Sequence, residues 1–410
     1  MSHIDDLIAE LCPKGVPFRT LGDLAELVRG NGMPKTDLTG IGVPAVHYGQ
    51  IYTRYGVWTR TTISYVAPET AMKLAKVDPG DIIITNTSEN IQDVGKAVAW
   101  LGDTQAVTGG HATVIKHQQN PKYLSYWFQS ESFFKQKKAL ATGTKVIDVS
   151  ARQLAKVRVP VPPLEVQAEI VRVLDYFTEL EAELEAELEA RRAQYAFYRD
   201  RLLSFPEAGG VRWVPMGEVA EVRSGWGFPN TAQGRTEGEY PFFKVSDMNL
   251  PGNETVMHVA NNYVSAVAAE KLGVKPAPAG AIIFPKIGAA VATNKKRMLS
   301  AAAAYDNNVM GLIPSQHVSP RYLYHWIQTF DLARLAHHSG AVPSIRKSEA
   351  EKVLVPVPAM EDQQRIADIL DKFDLLVNHL SEGLPAELAA RRKQYEYYRD
   401  KLLTFEEAPA

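Results

Sequence analysis

Residues 157–177, VRVPVPPLEVQAEIVRVLDYF, return at 353–373 as VLVPVPAMEDQQRIADILDKF, and this recurrence decides how the whole chain is read. The two copies share Val157/Val353, Pro160/Pro356, Pro162/Pro358, Gln167/Gln363, Ile170/Ile366, Leu174/Leu370, Asp175/Asp371 and Phe177/Phe373 at an offset of 196. A second block follows each copy: RRAQYAFYRDRLLSF (191–205) matches RRKQYEYYRDKLLTF (391–405) at ten of fifteen positions, at an offset of 200. Four residues have therefore entered or left between the blocks.

Working outward, the flanks repeat more faintly. LGDLAELVRGNGMP (21–34) is similar to MGEVAEVRSGWGFP (216–229), PGDIIITN (79–86) to AGAIIFPK (279–286), and KYLSYWFQS (122–130) to RYLYHWIQT (321–329). The chain is a tandem duplication in the order domain, helix, domain, helix. Its expected divisions are 1–162, 163–205, 206–358 and 359–405, with a tail at 406–410. The domains have diverged and the helices have not, which fits domains that face different ligands and helices that share one task. Short β-rich runs such as 81–85 and 281–284, bounded by Gly, Pro and Asn, predict mixed α+β domains.

From Glu165 to Leu203 no Pro or Gly interrupts the chain. That predicts a single helix of 39 residues, roughly 58 Å at 1.5 Å per residue. Its apolar positions, among them Leu174, Phe177, Leu184, Leu188, Tyr195 and Tyr198, recur at spacings of three and four. The second helix presents Leu370, Phe373, Leu388, Tyr395 and Tyr398 in the partner pattern. Two such stripes are covered most simply by each other, as an antiparallel coiled coil with pseudo-twofold symmetry. The copies differ in their middles. The first carries the tandem tetrapeptides LEAELEAELEA (180–190), whose glutamates also read as a solvated face, whereas Gly383 and Pro385 should bend or break the second.

Composition narrows the function without deciding it. The chain has 410 residues, 45% of them hydrophobic, and its apolar runs fall short of the roughly 20 residues a membrane span needs. The opening MSHIDDLIAELCPKG lacks a basic stretch followed by an apolar core, so a cytoplasmic location is expected. A single cysteine, Cys12, excludes an intrachain disulfide and a multi-cysteine zinc site. The formal charge of −2 becomes +4 once the six glutamates between 179 and 189 are set aside, which leaves room for local basic surfaces. No G-x-x-x-x-G-K-[ST] loop and no Asn/Asp-Pro-Pro-aromatic motif occurs. The pairs Gly30/Gly32 and Gly225/Gly227 read as turns, and His337/His338 as a surface pair and not a metal site.

VPVPPLEVQAEIVRVLDYF, the terminal RRKQYEYYRDKLL and the duplicated architecture together resemble the specificity subunits of type I restriction-modification enzymes. The resemblance spans the chain, with only the domain interiors outside it. It implies two target recognition domains, each reading one half of a bipartite, asymmetric site in double-stranded DNA. The helices would act as spacer and as the docking platform for two modification subunits, with restriction subunits as possible further partners. It also implies that this chain binds no cofactor and that S-adenosylmethionine, ATP and Mg belong to the partner subunits. A single-chain DNA-modifying enzyme and a coiled-coil protein scaffold are the competing readings.

Candidate DNA contacts follow from residue types that pair with phosphates or base edges. In the second domain Lys286 leads into a loop that ends in Asn294, Lys295, Lys296 and Arg297, a run that also reads as a solvated basic hairpin. At the matching place the first domain offers Asn86, Asn90, Gln92 and Lys96. The aromatic- and arginine-rich YGQIYTRYGVWTR (48–60) adds Tyr48, Gln50, Arg54 and Arg60, although its aromatics read equally as core; FFKVSDMN (242–249) adds Lys244 and Ser246. Near the domain ends Thr144 and Lys145 correspond loosely to the region of Ser344 and Arg346, after glycines at 143 and 340.

Overall fold

The prolines of the VPVP repeats hold the chain extended, and each repeat is used as a strand. Arg158–Pro160 pairs antiparallel with Phe18–Thr20, and Leu354–Val357 pairs antiparallel with Arg212–Pro215. A computed structural model describes residues 2–206, 210–337, 342–378 and 383–409, so His338 and Gly340 lie outside the described residues. The chain divides into two compact units, one made of 1–181 with 391–410 and the other of 182–390. The long helices are thus shared out between the units, each half belonging to the unit whose core it covers.

Each unit repeats the same sheet. In the first, a five-stranded sheet runs in the spatial order Ala25–Arg29, Ala112–His117, Ile82–Thr85, Ala97–Trp100, Trp58–Thr59. In the second the order is Ala220–Ser224, Val309–Pro314, Ile282–Pro285, Arg297–Leu299, Val256–Met257. The central strands Ile82–Thr85 and Ile282–Pro285 are buried on both faces, which explains their continuous apolar runs. A smaller sheet accompanies each: Ser64–Val66, Val43–Val46, Ala106–Thr108 and Ala75–Val77 in the first unit, and Tyr263–Val264, Tyr240–Phe243 and Ala304–Tyr305 in the second.

One helix, Leu164–Leu202, fills the span between the first VPVP repeat and the second unit's strands. Where the second pattern runs there are two helices, Met360–Asn378 and Gly383–Leu402. Gly383 has φ +76°, and a Cβ there would stand 2.6 Å from the Leu375 carbonyl, so a side chain would force the backbone apart. The seams are aromatic. In the first unit Phe177 stacks on Tyr398 (5.5 Å, 22°) and lies 6.5 Å from Tyr395, while Arg392 binds Glu181 at 2.6 Å, a register that only antiparallel segments give. In the second unit the mirror arrangement places Phe373 against Tyr195 (6.2 Å) and Tyr198 (5.6 Å). Leu174 and Leu370 are fully buried, Leu188 and Leu388 nearly so, and Leu184 packs against the second unit's core.

A buried glutamine fastens each helix to its domain. The Gln167 side chain accepts the Asn120 N–H (2.9 Å) and donates to the Pro162 carbonyl and to Gln119, both at 2.8 Å. Asn120 in turn caps the helix Pro121–Trp127 through Lys122 N and Tyr123 N. Gln363 repeats this with the Ser319 N–H (2.8 Å) and the Pro358 carbonyl (2.9 Å). Two turns further along, Asp175 accepts from Lys122 (2.6 Å) and the Tyr126 hydroxyl (2.8 Å). Asp371 does the same with Arg321 Nε (2.8 Å) and His325 Nε2 (2.6 Å). Burial pushes the Asp371 carboxyl up, but the hydrogen bonds from His325 and Arg321 outweigh it and hold the group below its ordinary value. Replacing Gln167 or Gln363 by Ala strands a buried N–H and a buried carbonyl. Each variant should lose about 1–3 kcal/mol, read as a lower urea midpoint, whereas an unchanged midpoint would mean that water replaces the amide freely.

Candidate nucleic-acid interface

Past the central strand of each sheet, the chain leaves the core and meets two other segments at one edge. In the first unit Thr87–Ser88 pairs antiparallel with Ile147–Asp148, and the Asn86 N–H donates to the His111 carbonyl at 2.8 Å. In the second, Ile287 bridges Ser344, the Lys286 N–H donates to the Asn308 carbonyl at 2.8 Å, and Ile345 N donates to the Lys286 carbonyl. The helix Tyr48–Thr53 and the short helical turn Val245–Asn249 take equivalent places in their units, each preceded by a residue whose N–H is capped from within. His47 N donates to Gln50 Oε1, and Lys244 N to Asp247 Oδ2 at 2.7 Å. The two edges are therefore one construction built twice with different side chains.

In the first unit this edge gathers Tyr48, Thr87, His111 and the exposed tip carrying Thr144 and Lys145. The turn at that tip needs Gly143, whose φ is +97° and whose Cβ would stand 2.1 Å from the Val146 carbonyl. The tightest feature is His111, a non-glycine residue at φ +67°, a conformation costing roughly 1–2 kcal/mol for an L-residue. Its Nδ1 lies 2.9 Å from the Thr87 hydroxyl and its ring 5.0 Å from that of Tyr48. Beneath them His47 is buried and accepts the Gly49 N–H; burial, then the charge of Lys35, lowers its pKa. In the second unit the edge gathers Lys244, the exposed Ser246, Lys286 and the exposed Arg346. Burial lowers the Lys286 pKa against the pull of Asp306, whose own carboxyl is pushed up by burial.

Several residues that the sequence offered as contacts are instead engaged inside their units. Asn86 is buried, its amide donating to the Val149 carbonyl and its oxygen accepting from Thr113, both at 2.8 Å. The Gln50 side chain is spent on the His47 cap and on Ser64. Asn90 holds Asp93, which also pairs with Lys96 at 2.8 Å. Gln92 and Lys96 line a cleft with Lys137, Glu396 and Arg399. Arg54 and Arg60 are exposed on the stretch after Tyr48.

The largest correction concerns the basic run 294–297. Asn294 adopts a left-handed conformation (φ 53°) and its oxygen accepts the Leu332 N–H and the Lys296 ammonium. Lys296 is fully buried, bonded to the Phe330 carbonyl at 2.6 Å, and so is withdrawn from any surface. Lys295 reaches Asn249, while Arg297 is half-buried, with Nε lacking a partner and burial lowering its pKa. A fully buried cation needs such acceptors to be tolerated.

The first unit has a counterpart in Lys137, buried and bonded to the carbonyls of Gln92 (3.1 Å) and Val94 (2.7 Å). It reaches the loop after the central strand from the helix Glu131–Leu140, whereas Lys296 reaches out from that loop toward the segment after Pro320–Thr329. Sequence reading missed both residues as buried cations. Among the described residues no group of three or more His, Cys, Asp or Glu could hold a metal ion, and no helix is long and apolar enough to cross a membrane.

The sequence profile of the type I restriction modification DNA specificity domain matches residues 13–190 and again 210–390. The Escherichia coli EcoR124I/EcoR124II specificity subunit is 36% identical over 261 residues, 61% of this chain and 63% of that relative's length. A putative type I restriction enzyme specificity subunit of Haemophilus influenzae is 28% identical over 323 residues, covering 75% of this chain and 79% of its own. The fold is similar to that of a chain solved in work on complex assembly and conformational transition of the type I R-M system (TM-score 0.63, 18% identity, 95% of this chain and 98% of that one). It is also similar to the S subunit from M. genitalium (TM-score 0.55, 16% identity, 95% and 96%).

Burial pushes the ammoniums of both Lys137 and Lys296 down to about 8. Between about pH 8 and pH 9.5 the unfolded chain still holds these protons and the folded chain releases them, so stability gains with rising pH from this source. Comparing urea midpoints across that window, K137M and K296M should each show a smaller gain than the parent. Equal gains in parent and variants would show that neither ammonium is desolvated.

Proposed function

The chain belongs to the family of type I restriction modification DNA specificity domains, and from that premise we propose that it is the sequence-reading subunit of such a system. Each unit reads one half of a bipartite, asymmetric site in double-stranded DNA, and the helices set the spacing and dock two modification subunits. The observation that carries this reading is one edge built twice and filled differently. Thr87, His111 and Asp148 stand where the second unit has Ile287, Asn308 and Ser344, while the seam residues Phe177 and Phe373 and the fastening glutamines are unchanged. A shared frame at the seams and the fastening glutamines, with different side chains at the equivalent edge, is what two readers of different half-sites require.

Residues 1–162 and 206–358 are the readers in this proposal, with 163–205 and 359–405 the spacer helices and 406–410 a tail. Tyr48, Thr144 and Lys145 contact DNA from the first edge, and Lys244, Ser246, Lys286 and Arg346 from the second, the cations favouring phosphates. Catalysis is left to partners: adenine methylation with S-adenosylmethionine to the modification subunits, and ATP- and Mg-dependent action to restriction subunits where these join. The cytoplasm, where the genome is, is the expected place of work.

Mapping methylated adenines in a host that expresses this chain with its modification subunits tests the reading. Two fixed half-sites around a constant spacer are expected. Methylation without sequence preference would favour a protein scaffold, and methyl transfer by the purified chain alone would overturn its non-catalytic role. Deleting one LEAE unit from 180–190 shortens the helix by four residues, about 6 Å, against about 3.4 Å per base pair. The mapped spacer should then shorten by about one or two base pairs with both half-sites kept. An unchanged spacer would remove the helix as the measure of that distance.

A further inference from the structure

We propose that His111 is a base-reading residue of the first unit; this rests on the reading of that unit's edge as a DNA surface. His111 closes the turn Gly109–Gly110–His111 between the strands Ala106–Thr108 and Ala112–His117. Among the described residues it and Asn294 are the non-glycine residues with positive φ, and the Asn294 side chain is fully engaged in holding its own loop. Two glycines precede His111 in the same turn, and a third would satisfy φ +67° without steric cost, yet an aromatic side chain stands there.

The backbone around His111 has no room to relax. The His111 carbonyl accepts the Asn86 N–H, and the Asn86 side chain is tied to Val149 and Thr113. The ring is fixed as well. Thr87 holds Nδ1 at 2.9 Å, and Tyr48 packs against one side at 5.0 Å and 48°. The residue is nevertheless exposed, and Nε2 has no hydrogen-bond partner among the described residues. A planar ring with one nitrogen anchored and the other presented offers a single directed hydrogen bond.

The orientation of the Thr87 hydroxyl decides what that bond reads. If the hydroxyl accepts from Nδ1–H, Nε2 is an acceptor suited to the amino group of adenine or cytosine; if it donates, Nε2–H suits a purine N7, guanine O6 or thymine O4. The second unit lacks this device. Its equivalent residue, Asn308, is exposed too, but its N–H and its side-chain amide both donate to Asp306, at 3.0 and 3.2 Å.

H111G keeps the turn, because glycine fits the backbone better than histidine, and deletes the ring alone. T87V keeps the ring and frees its anchor. Competition binding of the full chain with its modification subunits, against duplexes varied one base pair at a time, reads both. H111G should lower discrimination roughly 10- to 100-fold at one base pair of one half-site, leaving the other half-site intact, and T87V should weaken the same position. Unaltered discrimination in H111G would reduce His111 to a turn residue, with the edge still a DNA surface. A uniform loss across all duplexes would make it a phosphate contact and overturn base reading. If the parent complex itself shows no sequence preference, the DNA reading fails and His111 with it.

Discussion

A buried side-chain amide, used twice, is the constraint from which each half of this protein is assembled. Gln167 and Gln363 each satisfy three requirements at one point: the carbonyl of the final proline of a VPVP repeat (Pro162 or Pro358), the N–H of the residue that starts a domain helix (Asn120 or Ser319), and the Gln119 side chain or the His317 carbonyl nearby. Without it the proline-rich strand would enter the helix with polar groups orphaned in the core. With it, the start of the long helix and the start of the domain helix share one origin, and Asp175 or Asp371 fixes their angle two turns later. The aromatic seams are then determined, because Phe177 and Phe373 can only face the tyrosines that this geometry brings to them.

The supporting structure was legible in the sequence because it depends on spacing. Apolar residues three and four apart, prolines at fixed offsets and a glutamine five positions after Pro162 or Pro358 announce themselves in any self-comparison. The edge was less legible, for a physical reason. Whether a polar residue is offered to solvent depends on partners far away in the chain, and for Lys296 the deciding acceptor is the Phe330 carbonyl. Asn86 looks as available as Asn90 on paper, but Thr113 and Val149 consume its hydrogen bonds. His111 went unremarked because a positive φ leaves no mark on residue identity; the glycine pair before it was the one signal that the turn was tight.

The division of labour between constant and variable parts has an energetic logic. Interactions in the support are buried, directional and repeated, so a change in either copy carries a full desolvation cost. Those at the edge are half-exposed and peripheral to the sheets, where an exchange such as Thr87 for Ile287 leaves an antiparallel bridge to the facing segment in place. Variation therefore accumulates where it is cheap for folding and, on the proposed function, consequential for recognition.

The two buried lysines put a condition on building chimaeras from such halves. Lys137 is supplied by a helix after the sheet, and Lys296 by the loop that leads into a sheet strand. A graft that carried only the second unit's loop into the first would place two ammoniums where acceptors exist for one. The reverse graft would leave carbonyl oxygens facing each other with no cation between them. Each loop and the segment that partners its buried lysine therefore have to be exchanged together, so on the proposed function the smallest exchangeable reader is larger than its DNA-facing surface.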